Sequence, residues 1–539
     1  MTYSRQPYLY LLFIITLISC KAKEEENVTP PVITPEIAPV TPDKEILDEV
    51  QQATLQYFWE YAHPVSAMAR ERTGSGDLVT SGGTGFGISA LVVGVNRGWI
   101  NRAEAVDRLT KMCEFLKNAD RFHGAWSHWL DGNTGKAIAF SPNDNGGDLV
   151  ETSFLINGLL TARTYFTGAD AKETELRNKI TQLWETVEWD WYASRGDNQL
   201  YWHWSPDYNW EMNMAIRGWN ECLITYILAL SSPTHAMSPA VYQNTFQASG
   251  FVNGQPLEGY LLPIGPSYGG PLFFAHYSFL GLDPRQMQDQ YTFYWEQNVK
   301  HTLINRAYCL FAAPKNYGYH AGLWGLTASD DPDGYKAHQP MDDNGTVSPT
   351  AAISSMPYTP YYSMQVLRHL YTTLNKQLYG SYGFYDAYNK SRGWVAKDYL
   401  AIDQGPIVVM IENYRSGLLW SLFHQIPEVQ NGLTKANIKQ PNPETGFYLA
   451  IPEIRSGLYD LLKHPDQNKY PIDVSIKDAG GFTLTLEKEN GSVTENIWQE
   501  EQKAPGLYPI TFGENVPAGK YTLRLSSLAG ENKLVVYLH

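Results

Sequence analysis

"NDNGGDLVETSFLINGLL", Asn143 to Leu160, decides how this chain folds. The Gly146-Gly147 turn leads into Asp148-Leu-Val-Glu151, and most positions after that are apolar. An Asp followed three residues later by a Glu is a helix N-terminus signature, because both side chains can satisfy backbone amides that the first turn leaves free. A helix that is apolar around most of its circumference is buried on all sides. The same residues also put two carboxyls on one helix end, with Asp144 just upstream. Capping accounts for Asp148 and Glu151 and gives Asp144 no task.

Other segments of this kind are "GGTGFGISALVVGV", "IRGWNECLITYILALSSP", "PYTPYYSMQVLRHLYTTL" and "IDQGPIVVMIENYRSGLLWSLF". Between them lie one-sided helices. Ile46, Val50, Ala53 and Tyr57 repeat at helical spacing, as do Val106, Leu109, Cys113 and Leu116, and Leu176, Ile180, Leu183 and Val187. One-sided helices alternating with all-round apolar ones predict two concentric helical layers, a mainly α toroid over 44–465 of roughly a dozen helices. No fixed repeat period supports a solenoid instead. Long aromatic loops at 192–210 and 315–347 interrupt the pattern, and loops of that length usually carry function. From 466 to 539 the texture changes to strand alternation around Gly turns, which predicts a small accessory β-sandwich.

The N-terminus reads as a leader. Residues 1–20 hold Arg5, an apolar run too short for a transmembrane helix, and then Leu17-Ile18-Ser19-Cys20, which resembles a bacterial lipobox with Cys20 as the lipidated residue. Residues 21–43 are a Pro-rich tether. This predicts an outer-membrane lipoprotein, facing the periplasm or the cell surface, held to the membrane by its lipid and otherwise a monomer. A net charge of −15 argues against nucleic acid as a partner. Cys113, Cys222 and Cys309 sit inside apparent helices and read as buried free thiols.

Cleavage of a glycosidic bond generally takes two carboxyl groups among aromatic side chains. Asp144, Asp148 and Glu151 form one candidate set. Glu221 follows the Trp-rich run "QLYWHWSPDYNW" and is flanked by Arg217, Trp219 and Asn220; a first-turn structural Glu is the plain alternative. "HGAWSHWLDGNTGK" supplies Trp126, His128 and Trp129 as ligand contacts, with Asp131 in a tight turn. Asp403 is a further acid or another helix cap. Asp330, Asp331 and Asp333 lack EF-hand spacing, so no metal is expected, and no cofactor either. Gly-x-Ser-x-Gly, phosphate-loop and His-Glu-x-x-His motifs are absent from the sequence.

"GLTASDDPDGY…DNGTVSPTAAISSMPYTP", "GWNECLITYILALSSP" and "GGDLVETSFLINGLL" together resemble the glycoamylase-like domain of secreted bacterial proteins, and within it glycoside hydrolase family 144, the β-1,2-glucanases. Related domains occur in cyclic β-1,2-glucan synthases. The resemblance implies an (α/α)6 toroid, a cleft at one end of its inner helices, and hydrolysis of β-1,2-glucan or sophoro-oligosaccharides with inversion. It implies catalytic roles for Glu221, Asp148, Glu151, Asp144 and Asp403. Sugar contacts are expected at Trp126, His128, Trp129, Trp202, Trp204, Arg217, Trp219, Asn220 and Trp324. The alternatives are a glucoamylase acting on another glucan, a transglycosylase, or a non-catalytic glycan-binding surface lipoprotein.

Overall fold

The computed structural model describes residues 41–441, 446–447, 459–504, 506–528 and 530–539. The leader, Cys20 and nearly all of the tether lie outside the described residues. Residues 42–539 form one compact unit.

The first helices show the expected alternation. α1 (Asp43–Trp59), α3 (Arg102–Asn118) and α5 (Ala171–Glu185) bury one face each. α2 (Ser81–Asn96) is buried from Ser81 through Gly94, α4 (Leu149–Tyr165) from Leu149 through Ala162, and α6 (Leu223–Ser231) throughout. α3 and α5 begin where Asn101 and Asp170 accept hydrogen bonds from the amides two and three residues on. α2 and α4 approach closely enough for their backbones to touch. A Cβ on Gly85 would stand 2.0 Å from the Phe154 carbonyl oxygen, and one on Gly158 would stand 2.1 Å from that of Gly85.

The helix Ala401–Arg415 is buried along most of its length and packs against α1 and α2. Gln51 donates to the Val408 carbonyl at 2.9 Å, and Gly405 rests on Phe86. The short helix Pro349–Ile353 lies beside it, with Thr350 donating to the Asp403 carbonyl at 2.9 Å. Between α6 and that helix the chain forms two single turns, Leu272–Ala275 and Tyr277–Leu280, too short to leave a periodic signal, and the mostly buried helix Tyr294–Ala307.

Two expectations are corrected. "PYTPYYSMQVLRHLYTTL" is not buried all round. Its helix, Pro360–Thr372, buries one side and sends Arg368 outward to Asp43 at 2.6 Å. The β region also starts earlier than residue 466. Tyr459–Leu461 pairs in parallel with Gly530–Leu538, and Gly446–Phe447 pairs with Tyr470–Ile476. Those pieces are too short to show strand alternation by themselves. A three-stranded and a five-stranded sheet share a core of Ile472, Val474, Leu484, Leu523 and Val536.

One buried guanidinium joins the two regions. Arg415 binds Asp48 of α1 at 2.7 Å, Gln51 at 3.1 Å, and Asp466 through two bonds of 2.7 and 2.9 Å. Cys113, Cys222 and Cys309 are buried and unbridged.

Candidate functional site

The acids gather where the inner helices begin. Asp148 is the N-cap of α4: its Oδ1 accepts from the amides of Val150 at 3.0 Å and Glu151 at 2.9 Å. Its other oxygen lies 3.2 Å from His128 Nδ1. Glu151 turns its carboxylate onto the first turn of α2 and accepts from the Gly82 amide at 2.8 Å. Only glycine leaves room for this, since a Cβ at residue 82 would stand 2.3 Å from Glu151 Oε2. His128 Nε2 is 4.0 Å from the same oxygen. Burial lowers the pKa of His128, but Glu151, Asp148 and Asp144 outweigh that and raise it to about 9. An imidazolium therefore faces the two carboxyls at neutral pH. His128 is thus an ion-pair partner of the acids, with part of its ring still open to the cleft.

Asp144 has the task that capping denied it. Its Oδ1 is 3.1 Å from His203 Nε2, which also lies 3.2 Å from the Gly146 amide. The Trp-rich loop and the acid turn are hydrogen-bonded together: Gly147 pairs with Trp204, Asp148 pairs with His203, and Leu149 donates to the Trp202 carbonyl. Two segments that the sequence presents separately are one wall.

Glu221 sits in the turn before α6 rather than inside the helix. Asn220 accepts from the Cys222 amide at 3.0 Å, and the Ser278 hydroxyl donates to the Glu221 carbonyl. Burial, with Glu151 and Asp148 nearby, pushes the Glu221 carboxyl up to about 7. Burial likewise raises Glu151, against the pull of His128.

Asp403 occupies the first turn of Ala401–Arg415, with both carboxyl oxygens buried. Its carboxyl faces that of Asp386, and among the described residues neither Asp403 oxygen receives a donor from another side chain or amide. Burial and the neighbouring acid drive Asp403 far above the ordinary carboxylate range; burial, then Asp330, raises Asp386. Asp386 also accepts from the Asp330 amide at 2.7 Å, and Asp330 pairs with Arg72 at 2.8 Å.

The tryptophans divide. Trp126, Trp219 and Trp324 are 0%, 3% and 1% exposed, so their expected role as sugar contacts is corrected. Trp126 donates to the Leu116 carbonyl, and Trp219 packs among Phe246, Phe251, Phe279 and Tyr294. Trp129, Trp202 and Trp204 keep exposed edges. Arg217 is exposed and bonds Gln199. The Asp330–Asp333 run forms a hairpin in which Asp331 binds Asn344 and Thr346.

Sequence reasoning missed Phe140, Tyr277 and Asp386. Phe140, 46% exposed, stacks on His128 at 4.0 Å and meets Trp129 edge-on at 4.9 Å. Its exposed aromatic character on the Asp144 loop was the available signal; Asp386 left none.

A family model described as "Putative glucoamylase" matches residues 213–427. The chain is 47% identical over 416 residues to an exo β-1,2-glucooligosaccharide sophorohydrolase (non-reducing end) of Parabacteroides distasonis, a match that covers 73% of this chain and 58% of that protein. It is 50% identical to the endo-β-1,2-glucanase of Chitinophaga pinensis, solved with sophorotriose and glucose. That match has a TM-score of 0.72 and covers 74% of this chain and 99% of the other. The endo-β-1,2-glucanase of Talaromyces funiculosus, solved with sophorose, shares the fold at 10% identity, with a TM-score of 0.51 over 72% of this chain and 92% of the other.

Proposed function

The chain belongs to the glycoamylase-like family, in its glycoside hydrolase family 144 form, and we propose that it hydrolyses β-1,2-glucan or sophoro-oligosaccharides with inversion. The observation that carries this reading is that Asp148 and Glu151 at the start of α4, bridged by His128, stand beside Glu221 in the turn before α6. Glu221, held near neutrality, is the proton donor. The Asp148–Glu151 turn carries the base side. An inverting pair stands about 6.5–9.5 Å apart to admit water, and acids from different helices suit that spacing better than two from one turn. Asp144 orients the Trp-loop wall through His203. Trp129, Trp202, Trp204 and Phe140 are the sugar-stacking surfaces.

The alternating layers support an (α/α)6 toroid with the acids at the N-terminal ends of its inner helices. The leader and the Leu17-Ile18-Ser19-Cys20 sequence support a lipoprotein of the outer membrane, on either face. Incubating the protein without residues 1–23 with linear β-1,2-glucan, starch and laminarin tests the reaction. Sophoro-oligosaccharides from the first alone are expected. Intact β-1,2-glucan would overturn the reading, and cleavage of starch or laminarin instead would favour the glucoamylase alternative.

A further inference from the structure

Tyr277 packs between the helices that carry Gly82 and Glu151, and among the described residues no group bonds its hydroxyl. Its ring is fixed from several sides. Phe273 stacks on it at 5.0 Å, Phe86 of α2 approaches at 5.1 Å, and Phe154 of α4 meets it edge-on at 5.6 Å. Phe86 is one turn beyond Gly82, and Phe154 one turn beyond Glu151. The ring is therefore wedged directly beneath the contact between the Glu151 carboxylate and the Gly82 amide. The next residue, Ser278, bonds both the Glu221 carbonyl and the Ile224 amide. The segment is thus tied to the Glu221 turn as well. The side chain is 7% exposed, and among the described residues its hydroxyl has no hydrogen-bond partner and is not sealed from the cleft.

We propose that the Tyr277 hydroxyl is a substrate-contacting group, a hydrogen-bond donor that binds a sugar hydroxyl beside Glu151 and Glu221. The inference rests on the glucan-hydrolase reading above. A phenol in a largely buried site needs a partner, and water fills that place until a sugar hydroxyl displaces it. Burial, Asp403, Tyr335, Glu151 and Glu221 all hold the phenol neutral, so it donates and does not act as a base.

Tyr277→Phe removes the oxygen and keeps the ring. With linear β-1,2-glucan, kcat/KM is expected to fall about 3- to 10-fold, the loss of one neutral hydrogen bond. The melting temperature and the shape of the pH profile should not change. Activity within twofold of the parent overturns the proposal. So does a loss of activity that tracks a loss of melting temperature, because that marks a packing role. If the parent protein leaves β-1,2-glucan intact, the functional reading fails separately, and Tyr277 is then judged by sophorose binding in a calorimeter. Weaker binding by the Phe variant supports the contact. Equal binding, or none by the parent, overturns it.

Discussion

Asp386 and Asp403 place two buried carboxyls against each other, and among the described residues no third group donates to Asp403. Such a contact is favourable only when a proton lies between the two acids, so the pair carries one charge and titrates as a unit. Both pKa values are raised in the folded state. The stability that the pair contributes is therefore present at acid pH and lost as pH rises through the folded values. Asp403→Asn is expected to raise the melting temperature relative to the parent by a margin that grows from pH 5 to pH 8. Each tenfold loss of acidity on folding corresponds to about 1.4 kcal/mol. A margin that shrinks with pH, read by calorimetry, would count against the shared proton.

Glu221 must be protonated to donate, and its carboxyl is pushed up to about 7. Activity on glucan should therefore fall as pH rises through that value. Glu221→Gln should cut kcat by about 10²–10⁴ and abolish this limb of the profile. Retention of full activity would remove Glu221 from the mechanism.

Gly82→Ala drives a methyl group into Glu151 Oε2. Alanine is the better helix former by roughly 1 kcal/mol, so propensity alone predicts no loss. Displacement of the carboxylate predicts a fall in kcat/KM of about 100-fold. Kinetics beside thermal melting separates the two effects.

His128 gains its proton from the acids around it, and its folded pKa is about 9. Its stabilising contribution is complete below the ordinary histidine value and is lost as pH rises through about 9. His128→Gln should lower the melting temperature most at pH 6 and hardly at all near pH 10. A deficit that does not vary with pH would refute the ion pair.

The aromatic residues offer a paired test. Trp126→Ala should destabilise the protein by about 3–5 kcal/mol, as the loss of a fully buried ring does. Phe140→Ala should leave melting unchanged and raise KM by about 3- to 10-fold through lost stacking. The reverse pattern would exchange their assignments.

The helical layers were legible because α2, α4 and α6 must be apolar on every side, and such runs contrast with the one-sided α1, α3 and α5. The acid turn was legible because its cap spacing is local. Trp126, Trp219 and Trp324 misled because a tryptophan has the same letter in a core as in a cleft; only packing separates the two. Asp386 could not be found, because its importance arises from contact with Asp403 and that contact is set by tertiary folding. The two single turns that carry Tyr277 have no period to detect.

Arg415 also bears on how the molecule comes apart. Its guanidinium holds the first helix, the end of Ala401–Arg415 and the start of the β region at one buried point. Removing Asp466 would leave the buried guanidinium only its α1 partners, Asp48 and Gln51, and would cut its tie to the β region, a larger loss than that of an exposed ion pair. The helical and β regions should therefore melt together in one cooperative transition, and the accessory region behaves as a keystone of the catalytic fold rather than as cargo.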